Sequence, residues 1–172
     1  MGEVFRALQE EFSDLSGPQA LQLTVRLTVA AVLGGAIGWD RERKGKAAGF
    51  RTHILVAVGS AAFIAVPQQT AAGPDAVSRV LQGLIAGIGF LGAGCILKAD
   101  GDENVRGLTT AASIWMTAAI GVAAGMGREL SALIVGLFGF VVLTVLDWWS
   151  VRQAIGATTP SERKAPRPAA KK

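Results

Sequence analysis

The residues of this chain that can pair charges, move protons or hold an ion fall mostly in one short stretch. Asp40, Arg41, Glu42, Lys46, Arg51, Thr52 and His53 lie between Gly38 and Ile54, and a second group, Asn104, Arg106, Thr109 and Thr110, follows fifty residues on. Carboxylates interleaved with guanidinium and ammonium groups form ion pairs and charge-assisted hydrogen bonds. If the first stretch folds back against residues 98–110, Asp40 or Glu42 comes within reach of Arg51 or Arg106. The alternative reading is that these charges anchor the chain at a membrane surface while the polar residues cap helices.

Metal and cofactor chemistry find little support. His53 is the only histidine and Cys95 the only cysteine, which excludes a disulfide framework and a cysteine-based zinc site. Cys95 lies within an apolar run and reads as a small packing residue. His53 reads as a hydrogen-bonding group at the membrane interface, since a metal site built on it would need carboxylates from elsewhere. Asp100, Asp102 and Glu103 either gather a divalent cation or form a solvated turn; the ligand order and length of an EF-hand loop are missing. Gly87-Ile88-Gly89-Phe90-Leu91-Gly92 matches Gly-x-Gly-x-x-Gly, but the dinucleotide fingerprint needs a strand, a turn and a helix start rather than one continuous apolar run. With no Ser, His and Asp arrangement and no P-loop, the reading is not an enzyme, with no metal and no cofactor.

Those residues must be positioned by membrane helices. Of 172 residues 51% are hydrophobic and only 17% charged, too apolar for most water-soluble domains of this size. The apolar residues form blocks at Leu21–Trp39, Ile54–Val66, Val80–Leu97, Leu108–Met126 and Leu130–Trp149. Each approaches the roughly 20 residues that cross a bilayer, the second only if extended through Thr52 or beyond Pro67. The expected fold is all-α, a polytopic membrane bundle of about five transmembrane helices.

Charge sets its orientation. Arg41, Arg43, Lys44, Lys46 and Arg51 crowd the first connection, which should therefore stay cytoplasmic. Placed this way, thirteen Lys and Arg lie inside and Arg6, Arg79 and Arg128 outside, with the N-terminus outside and the C-terminus cytoplasmic. The net charge of +4 is then explained by topology and anionic lipid, and nucleic acid is not an expected partner. Residues 1–20, with Val4, Phe5, Leu8, Phe12 and Leu15 at helical spacing, read as an amphipathic interfacial segment closed by Ser16-Gly17-Pro18, or as an unstructured tail. The membrane domain covers 21–150, and the Pro-, Ala- and Lys-rich residues 151–172 read as a basic disordered cytoplasmic tail.

Inside the spans the chemistry is sparse. None of the five blocks contains an acidic residue before Asp147, and intramembrane carboxylates are common ligands and relays in cation transporters. Arg26 in the first span is either a snorkelling anchor or a functional cation within the bundle. Gly34 and Gly38 form a small-xxx-small pair, and Gly121 and Gly125 sit on a hydroxyl-rich fourth span with Thr109, Thr110, Ser113 and Thr117. In the third span Gly83, Gly87 and Gly94 share one side while Gly89 and Gly92 lie opposite, which predicts a central helix packed on both faces. The bulky fifth span should face lipid, and Trp39, Trp148 and Trp149 should mark the inner interface.

Three motifs in order carry a resemblance. Asp40-Arg41-Glu42 through Lys46, Ala48, Gly49, Phe50, Arg51 and Thr52, then Gly89-Phe90-Leu91-Gly92-Ala93-Gly94, then Asn104-Val105-Arg106-Gly107-Leu108-Thr109-Thr110-Ala111-Ala112, resemble the MgtC/SapB family of bacterial inner-membrane proteins from about Leu33 to Gly127. The resemblance implies a role in adaptation to low magnesium, acid or intracellular stress, in pathogens as a virulence factor. It also implies action through contacts with other inner-membrane machinery, such as ATP synthase or a magnesium transporter, rather than catalysis. Some members carry a soluble domain after the spans, where this sequence has only a short tail. Two functions follow: a regulator of ion homeostasis working through helix contacts, with homo-oligomer formation open, or a small transporter or channel for Mg²⁺ or another solute. A dry glycine-packed centre favours the first; a polar, water-filled centre at Thr109, Thr110, Thr117 and Gln82 favours the second.

Overall fold

The computed structural model describes residues 2–69, 73–98 and 105–146. The chain divides into two compact units, 1–140 and 141–172. The first holds α1 (Gly2–Glu11), α2 (Gly17–Arg43), α3 (Phe50–Gln69), α4 (Pro74–Gly94), a pair of two-residue strands β1 (Leu97–Lys98) and β2 (Val105–Arg106), α5 (Leu108–Gly125) and α6 (Glu129–Val141). The described part of the second unit is the last residue of α6 and a π-helical turn, Val142–Leu146.

Four helices, α2 to α5, are long and apolar enough to cross a membrane, and α6 is a shorter apolar helix. The fold is all-α but for one addition, an antiparallel pairing of Leu97 with Arg106 and Lys98 with Val105 that closes the polar turn between α4 and α5. Residues 99–104, Asp147, Trp148, Trp149 and the tail lie outside the described residues.

Local chemistry moves several boundaries from their expected places. Ser16-Gly17-Pro18 opens α2 rather than closing α1: the Gln19 side chain accepts from Ser16 N at 2.9 Å and from Ser16 Oγ at 2.8 Å, and Pro18 sits in the first turn, where its missing N–H costs nothing. Gly73-Pro74-Asp75 starts α4 in the same way, with Gly73 as N-cap and Asp75 in the first turn, near the positive end of the helix dipole. Pro67 does not end α3, which runs two residues further, because proline's fixed φ is helical and only one late hydrogen bond is forgone. α4 stops at Gly94, so Cys95 is its C-cap rather than a residue within the span.

The core is built on α3, flanked by α2 on one side and α5 on the other. A Cβ at Gly34 would lie 2.7 Å from the Cβ of Ala57 and 2.8 Å from the carbonyl oxygen of His53; one at Gly38 would lie 2.8 Å from the Cα of Phe50. Opposite, Gly121 abuts the carbonyl of Ala57 and Gly125 that of Ala61. Only glycine allows backbones this close, and the gain is dispersion between well-packed surfaces rather than expulsion of water. α6 turns its small residues Ala132, Gly136 and Gly139 inward, Gly139 against Met116 and Ile37, and leaves Leu130, Leu133, Leu137 and Phe138 exposed.

α4 is not the central helix that its glycines predict. Its hydropathic window is 11% buried, against 50% for α5. Gly92 alone among its five glycines has a neighbour, Ala111, within 4 Å; nothing lies within 4 Å of a Cβ at Gly83, Gly87, Gly89 or Gly94. The large side chains Leu84 and Ile88 take the face toward α5, so the glycines are left outside.

Candidate functional site

At the ends of α2 and α3 where the charged turn lies, the 40–53 stretch forms a clasp. Asp40 Oδ2 pairs with Lys44 Nζ at 2.8 Å, one helical turn on. Glu42 reaches across the turn and accepts from Phe50 N at 2.7 Å, satisfying one of the open donors at the start of α3. A Cβ on Gly49 would lie 2.6 Å from Oε2, so a side chain there would push the Glu42 carboxylate off the cap. Gly45 supplies the left-handed step, at φ 63°, that reverses the chain. Trp39 stands edge-on to Phe50 with ring centroids 6.0 Å apart. Asp40 and Glu42 thus pair within their own turn, not with Arg51 or Arg106 as folding back would allow.

Arg41 is fully buried, and so is His53. His53 Nδ1 lies 2.8 Å from the Gly49 carbonyl, which can only accept, so Nδ1 carries the ring proton. Nε2 lies 3.2 Å from Ser113 Oγ, whose other neighbour is the carbonyl of Thr110 at 2.8 Å. Thr117 Oγ1 donates to Ser113 O at 2.8 Å. His53, Thr110, Ser113 and Thr117 therefore form a buried polar seam between α3 and α5. Buried hydroxyls cost about 1–3 kcal/mol when unsatisfied, so such a seam fixes the register of the two helices.

The remaining predicted residues are not part of this seam as described. Lys46, Arg51, Arg106 and Thr109 are exposed, Thr52 is half-buried, and Asn104 is outside the described residues. Ser113 and Thr117 were the members that sequence reasoning left out of the charged cluster, though both were read on the hydroxyl-rich fourth span. The spacing of Thr110, Ser113 and Thr117, three then four residues, put them on one helical face and was the available signal. A second polar tie lies at the far end: Arg26 Nη1 donates to Gly125 O at 3.1 Å and to Gln68 Oε1 at 3.2 Å. The arginine turns inward onto the last carbonyls of α5, where a cation complements the helix dipole, instead of snorkelling outward. Among the described residues no three His, Cys, Asp or Glu side chains are grouped to hold a metal ion. The grooves between helices are apolar; one of about 150 Å³ is lined by Leu81, Leu84, Ile88, Trp115 and Val122.

Residues 27–151, from within α2 to beyond α6, match the MgtC family. The chain belongs to the MgtC family. It is 48% identical over 136 residues to SrpB of Synechococcus elongatus, covering 73% of this chain and 74% of SrpB. Over the same length it is 43% identical to YhiD of Escherichia coli K12, covering 60% of YhiD. It is 44% identical over 109 residues to MgtC of Salmonella typhimurium, covering 63% of this chain and 46% of MgtC. The chain thus spans only about half to three quarters of these relatives. No solved structure matches it. The matched region contains the clasp and the buried seam, and Arg26 lies one residue before it.

Proposed function

We propose that this MgtC-family protein is a regulator or accessory of ion homeostasis, magnesium above all, acting through contacts with other inner-membrane complexes such as ATP synthase. The observation that carries this reading is the centre of the bundle. Gly34, Gly38, Gly121 and Gly125 press helix backbones together there. The hydroxyls of Ser113 and Thr117 donate to carbonyls of their own helix, Thr110 is buried, and Thr109 and Gln82 are on the outside. A close-packed centre with no carboxylate between Leu21 and Trp39, Ile54 and Gly73, Ala76 and Ala99, or Asn104 and Arg128 offers few ligands to a dehydrating cation. In the proposed orientation the N-terminal segment 1–20 is outside, the membrane domain 21–150 crosses five times and the 151–172 tail is cytoplasmic, with the 40–53 clasp at the cytoplasmic face of a bacterial inner membrane. Adaptation to magnesium limitation or to host stress is the expected setting.

The second reading is a Mg²⁺ transporter, which is the role proposed by name for YhiD, 43% identical to this chain. Mg²⁺ and H⁺ flux into proteoliposomes containing only this chain separates them. The regulator reading expects no flux above protein-free vesicles from folded protein. Flux that disappears in Asp40→Asn, Arg51→Gln or Asn104→Ala would overturn it.

A further inference from the structure

We propose that the groove between α2 and α3 at their charged end holds one anionic phospholipid, an acyl chain lying along the groove and the phosphate between Arg43 and Arg51. The groove has a volume of about 470 Å³ and is lined by Val32, Gly35, Ala36 and Trp39 of α2 and by Phe50 and Ile54 of α3. Gly35 marks its base, where the helices touch: a Cβ there would lie 3.1 Å from the Phe50 ring and 3.4 Å from Ile54. Val32, Ala36 and Trp39 follow one another by four and then three residues, and Arg43, four further on, continues that face of α2 to its end. On the other side Arg51 precedes Ile54 by three residues, which makes it a neighbour on the surface of α3. Both arginines are exposed.

Length and charge choose the occupant. From Ala31 to Trp39 the groove runs about 12 Å at 1.5 Å per residue. Half of a hydrocarbon core is about 15 Å, so the groove is one leaflet deep and suits an acyl chain, where a crossing helix would use about twice that length. Trp39, 58% exposed, stands edge-on to Phe50 at the level where aromatic rings meet headgroups, and its indole N–H can donate to an ester oxygen. Five Lys and Arg against two Asp and Glu between residues 40 and 51 leave that end at +3. Asp40 is held by Lys44 and Glu42 by Phe50 N, and among the described residues no ion pair holds Arg43 or Arg51. Two guanidinium groups flanking one groove match the oxygens of a phosphate. The other grooves lack this pairing: the one between α2 and α6 is lined by Glu129, and the one between α4 and α5 by no charged residue. The inference goes beyond the proposed function and does not depend on it, since a regulator and a transporter can each carry a bound lipid.

The test is native mass spectrometry of the full chain, released from micelles containing dioleoylphosphatidylglycerol or dioleoylphosphatidylcholine. One phosphatidylglycerol should be retained in clear preference to phosphatidylcholine. Arg43→Gln and Arg51→Gln should each weaken retention about fivefold, the worth of one cation beside an anionic headgroup. Lys46→Gln, the same loss of charge elsewhere on the turn, should leave retention unchanged. Ala36→Phe, at an exposed position of the groove, should fill it and abolish retention without moving the thermal unfolding midpoint. Equal retention of the two lipids, an equal loss in Lys46→Gln, undiminished binding in Ala36→Phe, or displacement of the lipid by inorganic phosphate would each overturn the proposal. So would a benzophenone attached at Val32→Cys, in a Cys95→Ala chain in native membranes, that labels a protein instead of lipid.

Discussion

Replacing Gly34 by alanine isolates the close approach of α2 to α3. The added Cβ would sit 2.7 Å from Ala57 Cβ and 2.8 Å from His53 O, where carbon atoms settle at about 3.5–4.0 Å. Both obstacles are backbone or Cβ atoms, so no side chain can rotate away and the helices must part by several tenths of an ångström. In a helix the exchange of Gly for Ala is otherwise favourable by about 1 kcal/mol, whereas overpacking costs about 1–3 kcal/mol. The net expectation is a loss of about 0–2 kcal/mol. Gly59, also helical but with nothing within 4 Å, is the matched control, and Gly59→Ala should gain up to about 1 kcal/mol. Thermal unfolding of the purified protein in one detergent, followed by tryptophan fluorescence, should therefore place Gly34→Ala below wild type and Gly59→Ala at or above it. Equal midpoints for the two variants would refute the claim that α2 rests on α3 through its glycine.

Three further outcomes follow from the same geometry. Glu42→Ala removes the cap on Phe50 N and should destabilise the α2–α3 turn by about 1 kcal/mol, seen as faster proteolysis after Lys44 or Lys46, with Glu42→Gln retaining most of the effect of the native residue because its amide oxygen still accepts. Arg26→Met removes the bonds to Gly125 O and Gln68 Oε1 and should lower stability by about 1–3 kcal/mol, while Gln68→Ala costs less because the carbonyl contact survives; equal losses would count against the carbonyl as the main partner. In a Cys95→Ala background, Lys46→Cys should be shielded from an impermeant thiol reagent in intact cells and Pro74→Cys labelled; the reverse pattern would invert the proposed orientation.

Most of the architecture was legible because hydrophobic length is a strong signal in a membrane: Leu108–Met126 as read differs from α5 by one residue. The boundary at Ser16-Gly17-Pro18 was misread because glycine and proline mark the start of a helix as readily as the end of one, and only hydrogen bonds such as those of Gln19 decide between them. The centrality of α4 was illegible for a different reason. A glycine-rich face permits close approach but does not say that a neighbour is there. The buried seam was half visible: its hydroxyls have helical spacing, whereas the link from Ser113 to His53, sixty residues away, depends on the register of α3 against α5.

The clasp changes how the charged motif is understood. Its density of Asp, Arg, Glu and Lys suggests a binding surface, yet Asp40 pairs with Lys44, Glu42 and Gly49 cap α3, and Arg41 is out of reach of solvent. Surface ion pairs of this kind are worth at most about 1 kcal/mol, so their value lies in fixing the geometry of the turn rather than in raw stability. Glu42, Lys46, Arg51, Arg106 and Thr109 are the exposed groups of the predicted cluster among the described residues. Under the proposed function, Lys46 and Arg51 complement an acidic protein surface or anionic headgroup. Substitutions at Asp40, Glu42 or Gly49 should then loosen the turn and lower the thermal unfolding midpoint, whereas substitutions at the exposed Lys46 or Arg51 should leave that midpoint unchanged.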